Sequence, residues 1–394
     1  MRSRRARPAL LAGALAIAVA VAVGVPLLRA TTSGDGRGSS PSPTEEPIAN
    51  PTVKPAPSVP SAGRVGLSSH LFWQPAADIE SDLRTVVDGG VRWIREDLTW
   101  AVLEPDRGRW DWTKADRLMR AASHAGVSVL GILDYSAPWA SSGEHDEYNY
   151  PPKAFADFAT YAANVAARYG SGGVFWAEHP GLVPAAIALE IWNEPFAYWS
   201  WEPAPNPIAY AAMVRAGATA IRAANAAVQI LISGDVVEYG RRGPGGPWLD
   251  RVLAADVGLG SLIDAFSVHP YPSPRQKSPL DESAELRFDR VPETRAVAMA
   301  HGLDKPVWIT EIGWTTATRS GEGVNESTQA RFIGEAIERA LTQWTYVAKV
   351  FVYTWDTSNG VMTDTEGNFA LRRANGTMKP AWQVVKDEAA RWRS

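Results

Sequence analysis

Short apolar runs alternate with longer amphipathic stretches along the chain from Arg64 onward. This alternation predicts parallel strands that are joined by crossover helices. The predicted strands are Val65–Phe72, Trp93–Trp100, Val129–Ser136, Ala188–Glu194, Ile230–Val236, Ala265–Tyr271, Val307–Trp314 and Val350–Asp356. The predicted helices are Ala76–Asp88, Thr113–His124, Pro152–Tyr169, Pro207–Ala224, Ser327–Trp344 and Pro380–Arg393.

Eight such units in about 330 residues predict an α/β fold, a (β/α)8 TIM barrel with enlarged loops after its strands. The alternative is an open, doubly wound sheet, in which a glycine-rich phosphate-binding turn often follows a strand. No predicted strand is followed by a G-x-G-x-x-G turn, so the barrel is favoured. Active sites of such barrels lie at the C-terminal ends of the strands, and polar residues there are the first functional candidates.

The segment before the barrel has a different character. Four arginines among the first seven residues precede an uncharged run from Pro8 to Leu28, which predicts an export signal. Because about 20 apolar residues can also span a bilayer, residues 1–30 are predicted to be a cleaved signal peptide or an uncleaved signal anchor. Residues 31–63 are rich in Ser, Pro and Gly and predict a disordered linker. We therefore expect a catalytic domain over residues 64–394, outside the cell or in its envelope, with any membrane tether confined to the N-terminal segment.

Composition excludes several classes of function. The net charge of -4 argues against nucleic-acid binding, which usually needs a basic face. The chain has no cysteine, and its six histidines include no His-x-His pair, so we expect neither a metal nor another cofactor. The 17 tryptophans fit either a large aromatic core or a surface on which sugar rings stack.

Candidate catalytic residues lie where the predicted strands end. Glu194 closes the fourth strand and Glu311 lies near the end of the seventh, so both face the same rim of the barrel. Glycoside hydrolysis needs two carboxyl groups beside the scissile bond, one protonated and one ionised. A weakly charged cleft walled by indoles would raise the pKa of one glutamate, while hydrogen bonds from Arg95, His269 and Tyr271 would keep the other ionised.

Other acidic and aromatic residues near these strand ends have competing interpretations. Glu190 shares the fourth strand with Glu194, and we expect it to be a buried structural carboxylate paired with an arginine. Glu96 and Asp97 are weaker catalytic candidates on the second strand. Aromatic residues in loops that border the cleft either stack on sugars in flanking subsites or pack the loops together: Trp139, Trp199 and Trp201.

Two strings resemble the signature of glycoside hydrolase clan A, namely IWNEP at Ile191–Pro195 and WITEIGW at Trp308–Trp314. That clan holds retaining enzymes with the acid/base on strand four and the nucleophile on strand seven. Within the clan, the strings at Leu98–Pro105 and Gly108–Trp112 are most similar to family 39, the polysaccharide-hydrolase and beta-xylosidase relatives, and then to cellulase-like family 5. The resemblance covers residues 64–394.

The resemblance implies a role for each matching residue. Glu194 would be the general acid/base and Glu311 the nucleophile. Asn193 would bind the sugar 2-hydroxyl, Tyr271 would contact the nucleophile, and Arg95 would support it electrostatically.

The remaining roles concern the sugar itself. Trp355 would form the floor under the sugar, with Trp314 nearby as a further contact, and His70 and His269 would contact hydroxyl groups. Some clan members carry a histidine near the end of strand three, where this chain has Asp134, so recognition of a different hydroxyl pattern is expected.

These features together predict a retaining glycosidase that cleaves β-linked O-glycosidic bonds in an extracellular poly- or oligosaccharide. Double displacement requires carboxyl groups about 5–5.5 Å apart. Two alternatives remain open: a transglycosylase would use the same residues, and a catalytically silent carbohydrate-binding barrel would keep the indoles without needing both glutamates.

Overall fold

A computed structural model describes residues 63–393, apart from residues 146, 241, 242, 245, 246, 318–320 and 357–363. Eight parallel strands close into a barrel, each paired with the next in the chain and the last paired with the first, which confirms the predicted fold. The strands are β1 Val65–Ser68, β2 Trp93–Asp97, β3 Ser128–Leu133, β4 Ile187–Ile191, β5 Gln229–Ser233, β6 Ala265–Val268, β7 Val307–Ile312 and β8 Val347–Val352.

Each strand is followed by a helix that packs on the outside of the barrel. These helices are α1 Ala76–Asp88, α2 Thr113–Ala125, α3 Phe155–Tyr169, α4 Pro207–Ala224, α5 Trp248–Ala255, α6 Val291–Ala300, α7 Glu326–Gln343 and α8 Pro380–Arg391. Shorter helical turns within the connections are Leu71–Trp73, Trp100–Leu103, Val174–Glu178, Leu259–Ser261, Phe288–Arg290 and Asp364–Gly367. An antiparallel pair, Tyr239–Gly240 with Gly243–Pro244, follows β5.

The predicted elements agree with the structure in number and order, but their ends differ. The predicted strands run several residues too far at their C-terminal ends because the polar residues there belong to loops. The sequence prediction missed α5 and α6. The first of these helices is only eight residues long. The second, α6, buries only Val291, Thr294 and Ala298, which have helical spacing but include just one large apolar side chain, so the hydrophobic signal is weak.

The two ends of the barrel interior have different linings. Successive residues of a strand face opposite sides, so the residue two positions after an interior residue is interior again. The end formed by the strand N-termini is filled by apolar side chains that are all 0–3% exposed: Trp93, Leu130, Ala188, Leu231, Ala265, Trp308 and Phe351. Two residues further along, the same strands carry polar groups such as Arg95, Glu190 and Thr310.

The N-terminal predictions lie largely outside the described residues. The predicted signal segment, residues 1–30, and all of the predicted linker except Gly63 fall there. Among residues 63–393, as far as they are described, no helix has both the length and the apolar character needed to cross a bilayer.

Candidate active site

Left-handed backbone at the end of β4 positions Glu194. Trp192 has φ 66° and Glu194 has φ 44°, a conformation that side-chain-bearing residues rarely adopt and that costs about 1–3 kcal/mol each. Trp192 is fully buried, donates a 2.8 Å hydrogen bond to the Ser200 carbonyl, and packs against Trp201. The buried indole fixes the turn, and the turn directs Glu194 over the barrel mouth.

A β-bulge in β7 positions Glu311. Trp308 and Thr310 face the interior, so strict alternation would turn Glu311 outward. However, the pairing with β8 shifts register here: Ile309 pairs with Val350, whereas Ile312 pairs with Val352. One extra residue on β7 is therefore accommodated at this point, and Glu311 turns into the barrel mouth. Bulges commonly redirect a side chain in this way beside active sites.

Arg95 of β2 connects both sides of the barrel mouth. Its Nε donates to Glu190 over 2.7 Å, one Nη donates to Glu311 over 2.5 Å, and the other donates to Asn193 over 3.0 Å. Burial opposes the charge on Arg95, but the two glutamates outweigh it and raise the pKa of the guanidinium. The side chain of Glu190 is 2% exposed, so the expectation of a buried carboxylate paired with an arginine is confirmed.

His269, just beyond β6, lies between the two candidate carboxylates. Its Nδ1 is 2.9 Å from Glu194 Oε1 and 3.7 Å from Glu311 Oε2, and its Nε2 is 3.0 Å from the Thr310 hydroxyl. Burial alone would lower the pKa of the imidazole, but the charge of Glu311 and the hydrogen bond to Glu194 outweigh it and raise the pKa to about 9. His269 is therefore an imidazolium at neutral pH.

The environment of Glu194 differs from the one expected for the acid. Burial would raise the pKa of this carboxyl, but His269 and the Trp199 indole, which donates over 2.7 Å, lower it below its ordinary value. In the free site the proton therefore lies on His269, one hydrogen bond away from Glu194.

Tyr271 donates a 3.0 Å hydrogen bond to Glu311 Oε2, on the side opposite to Arg95. The backbone that carries Tyr271 is held by Arg290, which donates over 2.8 Å to the carbonyls of both His269 and Tyr271. Sequence reasoning missed Arg290, because its position after a long loop gives no sign that it returns to the strand end.

The carboxylates of Glu194 and Glu311 lie close together and are reachable from solvent. One oxygen of each and a ring nitrogen of His269 all lie within 4.8 Å of one another. The two carboxylate side chains are 17% and 12% exposed. Such a trio has the spacing of a metal site, but the Arg95 guanidinium at 2.5 Å from Glu311 would repel a dication.

A second group of polar residues lies at the ends of β1, β2 and β3. Asp134 is 1% exposed, and burial together with Asp97 raises the pKa of its carboxyl well above the usual range. Burial also lowers the pKa of His70. Among the described residues, neither Asp134 Oδ1 nor His70 Nδ1 has a hydrogen-bond partner. Glu96 instead faces the loop after β1 and accepts hydrogen bonds from the amides of Leu71 and Phe72, which makes it structural.

The prediction that Trp355 forms a sugar floor is wrong. Trp355 is fully buried and packs edge-on against Trp382 of α8, with ring centroids 5.1 Å apart. β8 ends at Val352, so interior alternation does not continue as far as Trp355. Tyr353, two residues after the interior Phe351, lies at the barrel mouth instead, with its ring 6.1 Å from that of His70.

Three further tryptophans predicted to bind substrate pack the protein. Trp201 and Trp314 are each 1% exposed, and the indole of Trp314 bonds the carbonyl of Lys277 over 2.9 Å. Trp139 donates to the Glu104 carbonyl over 2.9 Å, and the Arg107 guanidinium covers its ring at 4.7 Å. Of the loop tryptophans predicted from sequence, Trp199 contacts a candidate carboxylate.

Comparison with protein families gives an extended match. A family model described as "Cellulase (glycosyl hydrolase family 5)" matches residues 58–350, about three quarters of the chain. No curated protein matches the chain. The matching model is that of the second of the two families suggested by the motifs, within the expected clan.

Solved structures share the fold at low identity. A family 39 glycoside hydrolase from Bacteroides cellulosilyticus WH2 is 19% identical with a TM-score of 0.64, over 84% of this chain and 64% of that one, so this chain spans under two thirds of its length. A monomeric beta-xylosidase from Caulobacter crescentus CB15 is 19% identical with a TM-score of 0.60, over 84% and 69%. A GH5_18 from Bifidobacterium longum subsp. infantis is 17% identical with a TM-score of 0.60, over 84% and 80%.

Proposed function

The chain belongs to the cellulase family, glycosyl hydrolase family 5, within the retaining clan A, and on that premise we propose that Glu311 is its nucleophile and Glu194 its general acid/base. The observation that carries this proposal is the pair of carboxylates within 4.8 Å of each other at the barrel mouth. A separation this short suits a retaining enzyme, since inverting enzymes hold the two carboxyl groups about 6.5–9.5 Å apart to admit a water.

The reaction proceeds in two displacements. Glu311 attacks the anomeric carbon, the bond to the leaving oxygen breaks, and Glu194 gives that oxygen a proton. Arg95 and Tyr271 each donate a hydrogen bond to Glu311 and hold its orientation for the attack. Glu194 then removes a proton from water, which displaces Glu311 and releases a sugar of unchanged anomeric configuration.

His269 supplies the proton that the first displacement needs. In the free site the proton lies on Nδ1, 2.9 Å from Glu194 Oε1, because the charge of Glu311 raises the pKa of the imidazole. Attack by Glu311 removes that charge, so the proton affinity of His269 falls while Glu194 donates to the leaving oxygen. The proton therefore passes along one hydrogen bond as the bond to the sugar forms.

The polar side chains at the barrel mouth beside the nucleophile bind the sugar whose glycosidic bond is cleaved. Asn193, held by Arg95, takes the 2-hydroxyl, and the unpartnered atoms of His70 and Asp134 take other hydroxyls. Tyr353 provides the aromatic surface that was assigned to Trp355 from sequence. The substrate class that we propose is an extracellular poly- or oligosaccharide with β linkages, reached through export by the N-terminal segment.

A substrate panel tests the proposal. Aryl β-glycosides and β-linked polysaccharides are incubated with the wild type, with Glu311→Gln, and with Glu293→Gln as a matched control at an exposed position of α6. We expect release of sugar by the wild type and the control and near-total loss in Glu311→Gln. Full activity in Glu311→Gln would contradict the assignment, and formation of longer oligosaccharides would identify a transglycosylase.

Azide separates the two roles. With azide, Glu194→Ala should recover activity on aryl glycosides and form a β-glycosyl azide, because azide then replaces the water that attacks the glycosyl-enzyme. Glu311→Ala should form the α-glycosyl azide by direct attack. Proton NMR of the product assigns the anomeric configuration, and the reverse pattern would exchange the two roles.

A further inference from the structure

A guanidinium beside the candidate carboxylates has no protein acceptor. Arg275, in the loop after β6, lies over the ring of Tyr271 at 5.1 Å and over that of Phe369 at 5.9 Å. Tyr271 in turn donates to Glu311, so one tyrosine ring separates Arg275 from the nucleophile. Within the described part of the chain, the half-buried Arg275 side chain makes no hydrogen bond or ion pair.

Its neighbours show that this is unusual for an arginine in the cleft. Arg95 uses its donors on three side chains, and Arg290 uses its donors on three backbone carbonyls. Both therefore stabilise the protein itself. Arg275 keeps its planar set of N–H donors available, while the rings of Tyr271 and Phe369 restrict where its head group lies.

The acidic residue Glu366 acts on the charge of Arg275, but its hydrogen bond goes to another side chain. Glu366 hydrogen-bonds the Tyr353 hydroxyl, and burial raises the pKa of its carboxyl. The Arg275 charge also acts on Glu194 and on Tyr239, whose ring lies 5.3 Å from that of Trp199. Arg275 is therefore close enough to the barrel mouth for its charge to act on Glu194, and it lies over the tyrosine that contacts Glu311.

The loop holds Arg275 in place before any ligand arrives. The amide of Ser273 donates to the Leu286 carbonyl over 2.9 Å, and the amide of Glu285 donates back to Ser273 over 2.8 Å. On the other side of Arg275, the carbonyl of Lys277 accepts from the Trp314 indole over 2.9 Å. An anchored backbone and a stacked head group reduce the entropy that binding would cost.

We propose that Arg275 binds an oxyanion substituent, a carboxylate or a sulfate ester, on a substrate sugar next to the scissile bond. The inference rests on the proposed function, because Glu194 and Glu311 define which bond is cleaved. A guanidinium matches a planar carboxylate with two parallel hydrogen bonds, and such charge-assisted pairs are stronger than neutral ones. The substrate class is accordingly an acidic β-linked glycan that contains uronic acid or sulfated residues.

Binding tests this independently of turnover. The inactive Glu311→Gln protein is titrated with methyl β-D-glucoside, methyl β-D-glucuronide and the 6-sulfated glucoside, and with their galacto and manno epimers, by tryptophan fluorescence. We expect a charged ligand to bind about 10- to 100-fold more tightly than the neutral one, as for a hydrogen bond to a charged group. Tighter binding of the uronide or of the sulfate identifies the anion.

Variants then assign the effect to one residue. Arg275→Gln in the same background should abolish the preference for the anion, and Arg275→Lys should retain part of it. Arg331→Gln, which alters a guanidinium over Phe332 on the outer helix α7, should leave it unchanged. Equal binding of charged and neutral ligands, or a preference that survives Arg275→Gln, overturns the proposal. If the wild type hydrolysed no substrate while the binding preference was present, the result would instead count against the proposed function.

Discussion

The two ends of the barrel interior use the same strands for opposite purposes. At the N-terminal end, Trp93 of β2 and Trp308 of β7 pack edge to face, with ring centroids 5.4 Å apart. Two residues later the same strands carry Arg95 and Thr310, which belong to the hydrogen-bonded network of the mouth. One end therefore contributes apolar packing, whereas the other holds buried charges such as Arg95 and Glu190 that stabilise each other by pairing.

The backbone differs between the two ends as well. The left-handed residues Trp192 and Glu194 and the bulge beside Glu311 all lie at the mouth. Backbone in sparsely populated conformations costs free energy and persists only where surrounding packing enforces it. The comparison indicates that the packed base and helices stabilise a mouth whose own geometry is unfavourable.

The strongest test of this comparison removes the Arg95 guanidinium from the mouth. Arg95→Met leaves Glu190 and Glu311 buried without their partner, and we expect the free energy of unfolding to fall by about 3–5 kcal/mol, with loss of activity. Urea unfolding and hydrolysis of the best aryl glycoside measure the two effects. Adding Glu190→Gln removes one unpaired charge and should recover stability but not activity. Unchanged stability in Arg95→Met would contradict the account.

The next test uses pH. The pKa of His269 is raised to about 9 in the folded protein, against about 6.5 in an unfolded chain. The folded state holds this proton more tightly, so its stabilising contribution is complete below about pH 6.5 and is lost as pH rises through 9. The decline should reach about 3 kcal/mol, since one pKa unit corresponds to about 1.4 kcal/mol.

Urea unfolding across that pH range measures this decline, with His269→Asn as the comparison. The variant should lack the part of the slope that belongs to the imidazole. Parallel curves for the two proteins would mean that His269 is neutral in the fold, and the proton route proposed for Glu194 would then be lost.

Tyr271→Phe has a smaller effect that separates chemistry from stability. The variant loses the hydrogen bond to Glu311 and keeps the ring on which Arg275 stacks. We expect kcat to fall about 10- to 100-fold, which corresponds to the ~1.5–3 kcal/mol of a hydrogen bond to a charged group. KM should change little if the bond matters mainly in the transition state. Steady-state kinetics with an unchanged kcat would show that Arg95 alone orients the nucleophile.

The order of elements was predictable from sequence, because hydrophobic alternation reports which side of a strand is buried. α1 and α4 match their predicted bounds, and Gly126 ends α2 with φ 70°, as a C-terminal cap should. The alternation also brought His70, Arg95, Asp134 and His269 to the mouth. Glu311 was predicted by motif, although strict alternation would have turned it away, because no pattern of residues announces a bulge.

The roles of the aromatic residues were harder to predict, because the sequence around a tryptophan at a strand end is similar whether its indole packs in the core or binds a sugar. Trp100 shows why: its indole donates to Glu104, which also accepts from the Gly108 amide. The sequence at Leu98–Pro105 and Gly108–Trp112, which suggested family 39, therefore forms a loop that is stabilised by its own hydrogen bonds. The position at which β8 ends determines whether Tyr353 or Trp355 lies at the barrel mouth. Pairing with neighbouring strands sets that position, and the sequence of one strand does not show it.

The smallest expected effect on activity lies at the base. Lys349 of β8 donates to the Gly63 carbonyl over 2.9 Å and lies 4.5 Å from the Trp93 ring, and burial lowers its pKa to about 8. An unfolded lysine titrates near 10.4, so the unfolded chain binds this proton more tightly and Lys349 makes stability rise between about pH 8 and 10.4.

Lys349→Met fills a similar volume without the charge. We expect the rise above pH 8 to disappear and stability at neutral pH not to fall, because the variant keeps the volume and removes a charge whose burial is unfavourable. Urea unfolding at several pH values and kcat/KM on the same substrate measure both. An unchanged kcat/KM would confirm that the base supports the mouth only through packing. A large loss would show that the two ends are coupled electrostatically.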